Sequence, residues 1–365
     1  MRRGKNRVVL DAREFLRGKF TGIGRVLEGI VDALAESDFL EEVVLAAYNA
    51  DALPKKLQNR KGIRVEALPQ QFIRSERALS RLCKKDRQIF ISPYPKLPLF
   101  GCHCLAVHTV HDVLDLTHPA YERRFKTHFD KLRLRKALKR ADLTWYDSLW
   151  SMEETKKLTG SSGRNPRIRY LGIDERFTPE KDKNEEYVLK KHDLEPGYVL
   201  VIGNGLPHKN LGVLLKVSND LFRKLAFVGV SKRNQVHWRK AYPNGKAQWI
   251  QYVGEDDLPP IIRCAFCLAQ PSTAEGYGYP PLEAMACGVP TVVSNIPVLI
   301  ETTGGNALVA DTDDPRMWME AFQALENKDV YTSQIENGLK WVDPFRGPKG
   351  WEKHISDIEE QIEGG

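Results

Sequence analysis

The chain has 365 residues, 42% hydrophobic and 9% aromatic, with a formal net charge of +7. That composition excludes disordered, collagen-like and strongly acidic proteins and allows two domains, each with its own core. No run approaches the roughly 18 apolar residues a spanning helix needs. The basic start MRRGKNRVVLDAREF holds only a short apolar run, which is not a signal peptide, so the protein is expected in the cytoplasm.

Charge is uneven. Residues 1–180 carry 35 Lys+Arg against 23 Asp+Glu, and residues 181–365 carry 20 against 25. The basic amino half favours an anionic surface or substrate. Of the six cysteines, Cys264 and Cys267 sit in the apolar run IIRCAFCLAQPS and read as small buried hydrophobes. Cys102-His103-Cys104 lacks a second pair at zinc-finger spacing, so no metal is expected.

In chain order, NRVVLD (6–11) reads as a buried parallel strand. A loop ending in Thr21-Gly22-Ile23-Gly24-Arg25 follows, then a helix with Val26, Leu27, Ile30, Val31 and Leu34 at helical spacing. A glycine loop between strand and helix lets backbone N–H groups approach a phosphate, although a plain tight turn has the same composition. Further strands are expected at 42–48, 63–68, 88–92, 104–112 and 142–150. Alternation of strands with helices predicts a doubly wound α/β domain with ligands at the carboxyl ends of the strands. Ser92-Pro93-Tyr94 ends one strand, as an acceptor contact or a simple turn. His111-Asp112 ends another, either as a general-base pair or as a histidine satisfying local backbone groups.

Residues 121–141 form a basic helix with nine Lys/Arg and two acids. Tyr121, Phe125, Phe129 and Leu132 mark its expected inward stripe. Its basic face reads as a solvated surface or as a contact for anionic lipid. Nucleic acid is not an expected partner, because the aromatics fall on the inward stripe. Ser148 opens the next turn, and Ser151 with Glu154 forms a capping box. The charged stretch PEKDKNEE (179–186) is expected to link domains 1–180 and 186–348.

The second domain opens with the strand YVLVIG (198–203), running into Asn204-Gly205-Leu206-Pro207-His208-Lys209-Asn210. A lysine in a strand-to-helix loop is a natural phosphate ligand. Strands at 225–230 and 249–254 lead to PSTAEGYGYPPLEAMACGVP (271–290). There Pro281 suits a helix start, Gly288 suits the residue past its end, and Glu275 and Glu283 stand eight apart, Glu283 in the first helical turn. A strand at 291–295 follows, and an amphipathic helix closes the chain near 350–365.

The stretch 271–290 closely resembles the E-x7-E signature of the family-four retaining glycosyltransferases. NGLPHKN resembles their diphosphate motif with His208 where arginine is usual, so Arg13 or Arg25 could share the charge compensation. VHDVLDLTHPAY resembles their strand-end histidine segment. The resemblance implies a GT-B fold, with two Rossmann-like domains facing a cleft and the last helix returning to the first domain. It also implies a nucleoside-diphosphate sugar donor, with a weak lean to GDP-mannose, and a glycan or lipid-linked acceptor in cell-surface polysaccharide synthesis. His111, with Asp112 and His118 as lesser candidates, would approach the donor sugar. Gly22, Gly24, Gly203, His208, Lys209, Gly276, Tyr277, Gly278 and Tyr279 would surround the diphosphate, and Val253 the base. Glu275 would hold sugar hydroxyls and Glu283 the ribose, with Glu275, His111 and Lys209 carrying the chemistry without a metal or other cofactor. A glycosidase-like carboxylate pair, an epimerase, a phosphorylase and a non-catalytic sugar-nucleotide-binding subunit are the alternatives. A nicotinamide dehydrogenase is disfavoured, because no GxGxxG with a following acid is present.

Overall fold

A computed structural model describes residues 6–15, 22–58, 60–83, 88–117 and 124–363. The chain divides into two compact units, 1–172 with 347–365, and 173–346. The division falls ahead of the polar stretch 179–186. Ile173 is buried, and its N–H donates to the Phe345 carbonyl at 2.7 Å, which ties that residue to the second unit.

The first unit is built on seven strands: β1 (Asn6–Asp11), β2 (Leu40–Ala47), β3 (Ile63–Ala67), β4 (Gln88–Ser92), β5 (Leu105–Val110), β6 (Leu143–Tyr146) and β7 (Pro166–Ile168). They pair in parallel in the order β3-β2-β1-β4-β5-β6-β7. Val8, Val9 and Leu10 are fully buried, so both faces of the interior strand β1 are covered, as apolar runs in parallel sheets require. The helix Gly22–Ala35 buries Val26, Leu27, Ile30, Val31 and Leu34, the stripe its periodicity predicts.

Four features of this unit differ from the expected pattern. Gly22 and Gly24 lie in the first turn of that helix rather than in a loop, because nothing in GIGRV forbids helical backbone, and Thr21 lies outside the described residues. The stretch 142–150 is strand only as far as Tyr146. Ser148 then caps the helix Leu149–Thr159 by accepting from the Ser151 N–H, so Ser151 is an interior residue and no capping box with Glu154 forms. In the basic helix Arg124–Arg140, Phe129 is 43% and Leu132 50% exposed, while Arg133, Leu134, Ala137 and Leu138 are buried. The inward stripe is therefore rotated from the one expected, because Arg133 turns inward to satisfy Glu76. Phe129 therefore stands exposed among the basic side chains of this helix instead of on an inward stripe. Tyr121 and the Phe125 side chain lie outside the described residues.

The closing helix Glu352–Glu363 belongs to the first unit. Its buried Asp357 accepts from Trp145 Nε1 at 2.9 Å and Arg169 Nε at 2.8 Å. Just before it, the Trp351 ring fills a slot bounded by Gly29 and Gly172, where an added Cβ would lie 2.4 and 2.3 Å from ring atoms.

The second unit holds six strands: β8 (Val199–Ile202), β9 (Leu225–Val228), β10 (Gln248–Ile250), β11 (Cys267–Gln270), β12 (Thr291–Ser294) and β13 (Leu308–Ala310). All pair in parallel, in the order β10-β9-β8-β11-β12-β13. Val199, Leu214, Phe227 and Trp318 form part of its core. Among the described residues no helix is long and apolar enough to cross a membrane.

Candidate active site

In the second unit, β8 and β11 are neighbours, and the chain leaves them in opposite directions, to β9 on one side and β12 on the other. Loops that diverge at such a reversal leave a crevice at the carboxyl ends of the strands, where doubly wound sheets bind ligands. The residues singled out from sequence gather there.

After β8 the chain passes Gly203 and makes a short turn, Pro207–Lys209. Asn210, at φ 49° and ψ 40°, then steers it into the helix Leu211–Val217. The His208 carbonyl accepts from the Thr273 N–H at 2.8 Å, which ties the β8 loop to the β11 loop. The Lys209 stem runs past Gly203, and its Nζ donates to Glu275 Oε1 at 2.6 Å. The same oxygen accepts from Gln270 Nε2 at 2.6 Å and Ser272 Oγ at 2.5 Å. Burial pushes the Glu275 carboxyl up, but the Lys209 ammonium and the Ser272 hydroxyl outweigh it and hold the group below its ordinary value. Glu275 is thus a buried, ionised carboxylate with one oxygen saturated by donors.

The glycine turn comes next. Gly278 takes φ +91°, and a Cβ there would meet Leu299 Cδ2 at 2.5 Å, so glycine is required. The helix begins at Tyr279, two residues before the expected Pro281, since a second proline, Pro280, also fits a first turn. Glu283 is consequently the fifth helical residue, beyond the first turn, and it is buried at 2% exposure. Pro280 and Pro281 lack N–H groups, so Gly278 and Tyr279 carry the backbone N–H groups that precede the prolines at this helix start. Tyr277 is buried against Tyr279, edge to face at 5.4 Å. Gly276 sits in the turn, and Gly288 takes φ +70° just past the helix end, as expected. Val253 is half-buried in the loop after β10.

In the first unit, His111 follows β5, and its Nδ1 pairs with Asp147 Oδ2 at 2.6 Å. The register pairs Val110 with Tyr146, so the next residue of each strand, His111 and Asp147, stands side by side. The neighbouring Asp112 accepts from the Leu114 N–H at 2.8 Å and holds the start of the next helix instead. Its expected role beside the imidazole passes to Asp147. Burial opposes the imidazolium, but the Asp147 carboxylate outweighs it and raises the His111 pKa. His118 lies outside the described residues.

Arg13 is already committed to carboxylates of its own unit. It is buried, donates to Asp11 from Nε at 2.7 Å and from a terminal nitrogen at 2.6 Å, and reaches Glu76 at 2.9 Å. Arg133 donates to the other Glu76 oxygen at 3.0 Å. This network joins the end of β1 to the helix Phe72–Leu82 and the basic helix, and it has no sequence signature, because Arg13 and Glu76 stand 63 residues apart and Glu76 and Arg133 57. Ser92 Oγ accepts from the Tyr94 N–H at 3.3 Å, a simple turn, while the Tyr94 hydroxyl donates to Glu14 at 2.8 Å. Gln270 and Ser272 also escape sequence reasoning, although their placement just before Glu275 on a strand end is the signal that would have found them.

Comparison with known proteins bears on this geometry. Residues 182–341 match the family model described as glycosyl transferases group 1. The chain is 30% identical over 336 residues to O-antigen chain mannosyltransferase B of Escherichia coli, covering 84% of this chain and 87% of that protein. It is also 30% identical over 162 residues to O-antigen chain mannosyltransferase RfbU of Salmonella typhimurium, covering 42% and 45%. Among solved structures, Anabaena HepE in complex with UDP-glucose superposes with a TM-score of 0.76 at 15% identity, covering 98% of this chain and 99% of that one. WaaG, a glycosyltransferase involved in lipopolysaccharide biosynthesis, superposes at 0.70 and 14% identity, covering 96% and 99%. Two parallel Rossmann-like units of the GT-B type, the E-x7-E carboxylates at a strand reversal and a full-length relative lead to one conclusion: the chain belongs to the group 1 glycosyl transferases.

Proposed function

We propose that this glycosyltransferase moves a hexose from a nucleoside-diphosphate sugar, GDP-mannose being favoured, to a glycan or lipid-linked acceptor of cell-surface polysaccharide, with retention at the anomeric carbon. The observation that carries the reading is the convergence of Lys209, Gln270 and Ser272 on one oxygen of Glu275 at the strand reversal. Such a carboxylate is held rigid and ionised, suited to accept hydroxyl hydrogens of a sugar rather than to exchange protons. Lys209 and the Gly278 and Tyr279 amides supply positive potential for a departing diphosphate, the task a metal performs elsewhere, so no divalent ion is essential. Glu283 holds ribose hydroxyls and Val253 borders the base. His111 approaches the donor sugar, its orientation set by Asp147. The mannosyl preference rests on the names of the two O-antigen relatives.

The exposed Phe72, Ile73, Phe129 and Leu132, among the basic side chains of helix Arg124–Arg140, suit peripheral contact with an anionic membrane. The test is a panel of GDP-, UDP- and ADP-sugars with lipid-linked and free glycan acceptors, read as nucleotide release with and without EDTA. GDP release from GDP-mannose, unchanged by EDTA, is expected. Release from UDP-sugars alone would overturn the donor, and nucleotide binding with no turnover on any donor would overturn the enzyme reading.

A further inference from the structure

Apart from the site above, the described residues hold a concentration of metal-ligating atoms in the first unit. The Sγ atoms of Cys83, Cys102 and Cys104 all lie within 4.8 Å of one another, those of Cys102 and Cys104 at 3.6 Å. Cys83 ends the helix Phe72–Leu82, and the other two belong to the segment entering β5. Side chains two apart on an extended segment point the same way, so Cys102 and Cys104 face Cys83 while His103 is exposed on the other side. The His103 N–H donates to the Cys83 carbonyl at 2.9 Å, which joins the two segments beside the thiols.

We infer that Cys83, Cys102 and Cys104 form a tris-thiolate site for a thiophilic divalent cation, zinc above all. Zinc–sulfur bonds of about 2.3 Å in tetrahedral geometry place thiolates about 3.8 Å apart, close to the 3.6 Å between Cys102 and Cys104 and inside the 4.8 Å that bounds all three. Hard cations are excluded by the all-sulfur donor set. As each S–metal bond forms, the thiol proton leaves to solvent, and three thiolates around a divalent ion carry one excess negative charge. A small pocket lined by Leu97, Cys102, Lys136 and Arg140 reaches the cluster at Cys102; it gives a fourth ligand access from solvent, and Lys136 and Arg140 offset that charge. Cys83 precedes β4 and Cys104 directly precedes β5, which puts the site at the amino-terminal edge of the sheet, whereas His111 follows β5 at the carboxyl edge. The metal would therefore staple a helix to the sheet and take no part in transfer.

The test uses the full chain, purified with a phosphine reductant and stripped with EDTA, then titrated with cobalt(II). A near-ultraviolet thiolate-to-cobalt charge-transfer band is expected, saturating at one cobalt per chain and abolished by stoichiometric zinc. C83S and C104S should each lose most of that band, while C264S, in the other unit, should keep it. With zinc bound, Cys102 and Cys104, which are only partly buried, should resist thiol titration relative to the stripped chain, and the thermal midpoint should rise. Circular dichroism and nucleotide binding check that each variant is folded. No cobalt band in the reduced wild-type chain, or a band kept by C83S and lost by C264S, would overturn the site.

Discussion

At the scale of single residues, the Lys209–Glu275 pair decides the chemistry proposed for this enzyme. Glu275→Ala removes the fixed acceptor but leaves Lys209 free for a diphosphate. Turnover is therefore expected to fall about 10²- to 10³-fold, with nucleotide affinity largely retained. Lys209→Ala should act in the opposite sense, weakening nucleoside-diphosphate binding measured by calorimetry. His111 offers a second check. Its pKa is raised because the Asp147 carboxylate outweighs burial, so its pairing contributes stability that is full below about pH 6.5 and lost as pH rises through the higher folded value. Asp147→Asn should bring the imidazole titration, followed by NMR, down below that of the wild type; an unchanged titration would show that Asp147 does not govern it. Lys209 and both glutamates were legible because each stands in a motif of a few residues, NGLPHKN for the lysine and the eight-residue carboxylate spacing for the glutamates. Asp147 was not, since it stands 36 residues from His111 and meets it only through the register of β5 with β6.

At the scale of elements, the slot around Trp351 shows how glycines set packing. Gly172→Ala or Gly29→Ala would drive a methyl into the indole, at 2.3 and 2.4 Å in the present geometry. Each should destabilise the first unit by about 1–3 kcal/mol, measured by urea denaturation. Combining Gly172→Ala with Trp351→Leu should cost less than the sum of the two, and strict additivity would argue against the clash. The basic helix carries the reverse lesson. Its helical character could be read from composition, but its buried face could not, because Arg133 is drawn inward by Glu76 while Phe129 and Leu132 are left outside.

For the whole molecule, acid is the sharpest probe. His108 and His354 are buried, and desolvation lowers both to about 3, with Arg169 and His111 adding to the effect at His354. In the unfolded chain they take protons below about pH 6.5, so stability falls as pH drops from 6.5 toward 3. At pH 5 each costs about 2 kcal/mol on this reasoning, and both lie in the first unit. That unit should melt progressively earlier between pH 7 and pH 5 by calorimetry, and His354→Phe should blunt the loss. A transition insensitive to pH over that range would count against the assignment.

Local pattern was sufficient for most of this protein. Apolar runs, glycine and proline placement and the E-x7-E spacing are one-dimensional signals, so the two α/β units, most of their strands and the residues of the β8 and β11 loops followed from the chain alone. Strand order and register were not so encoded. They pair His111 with Asp147, bring Lys209 onto Glu275, link Arg13 to Glu76 and gather three thiols from separate segments. Each of those contacts is set by which strands become neighbours and which helices pack on them, and that depends on burying the whole apolar surface of a sheet at once.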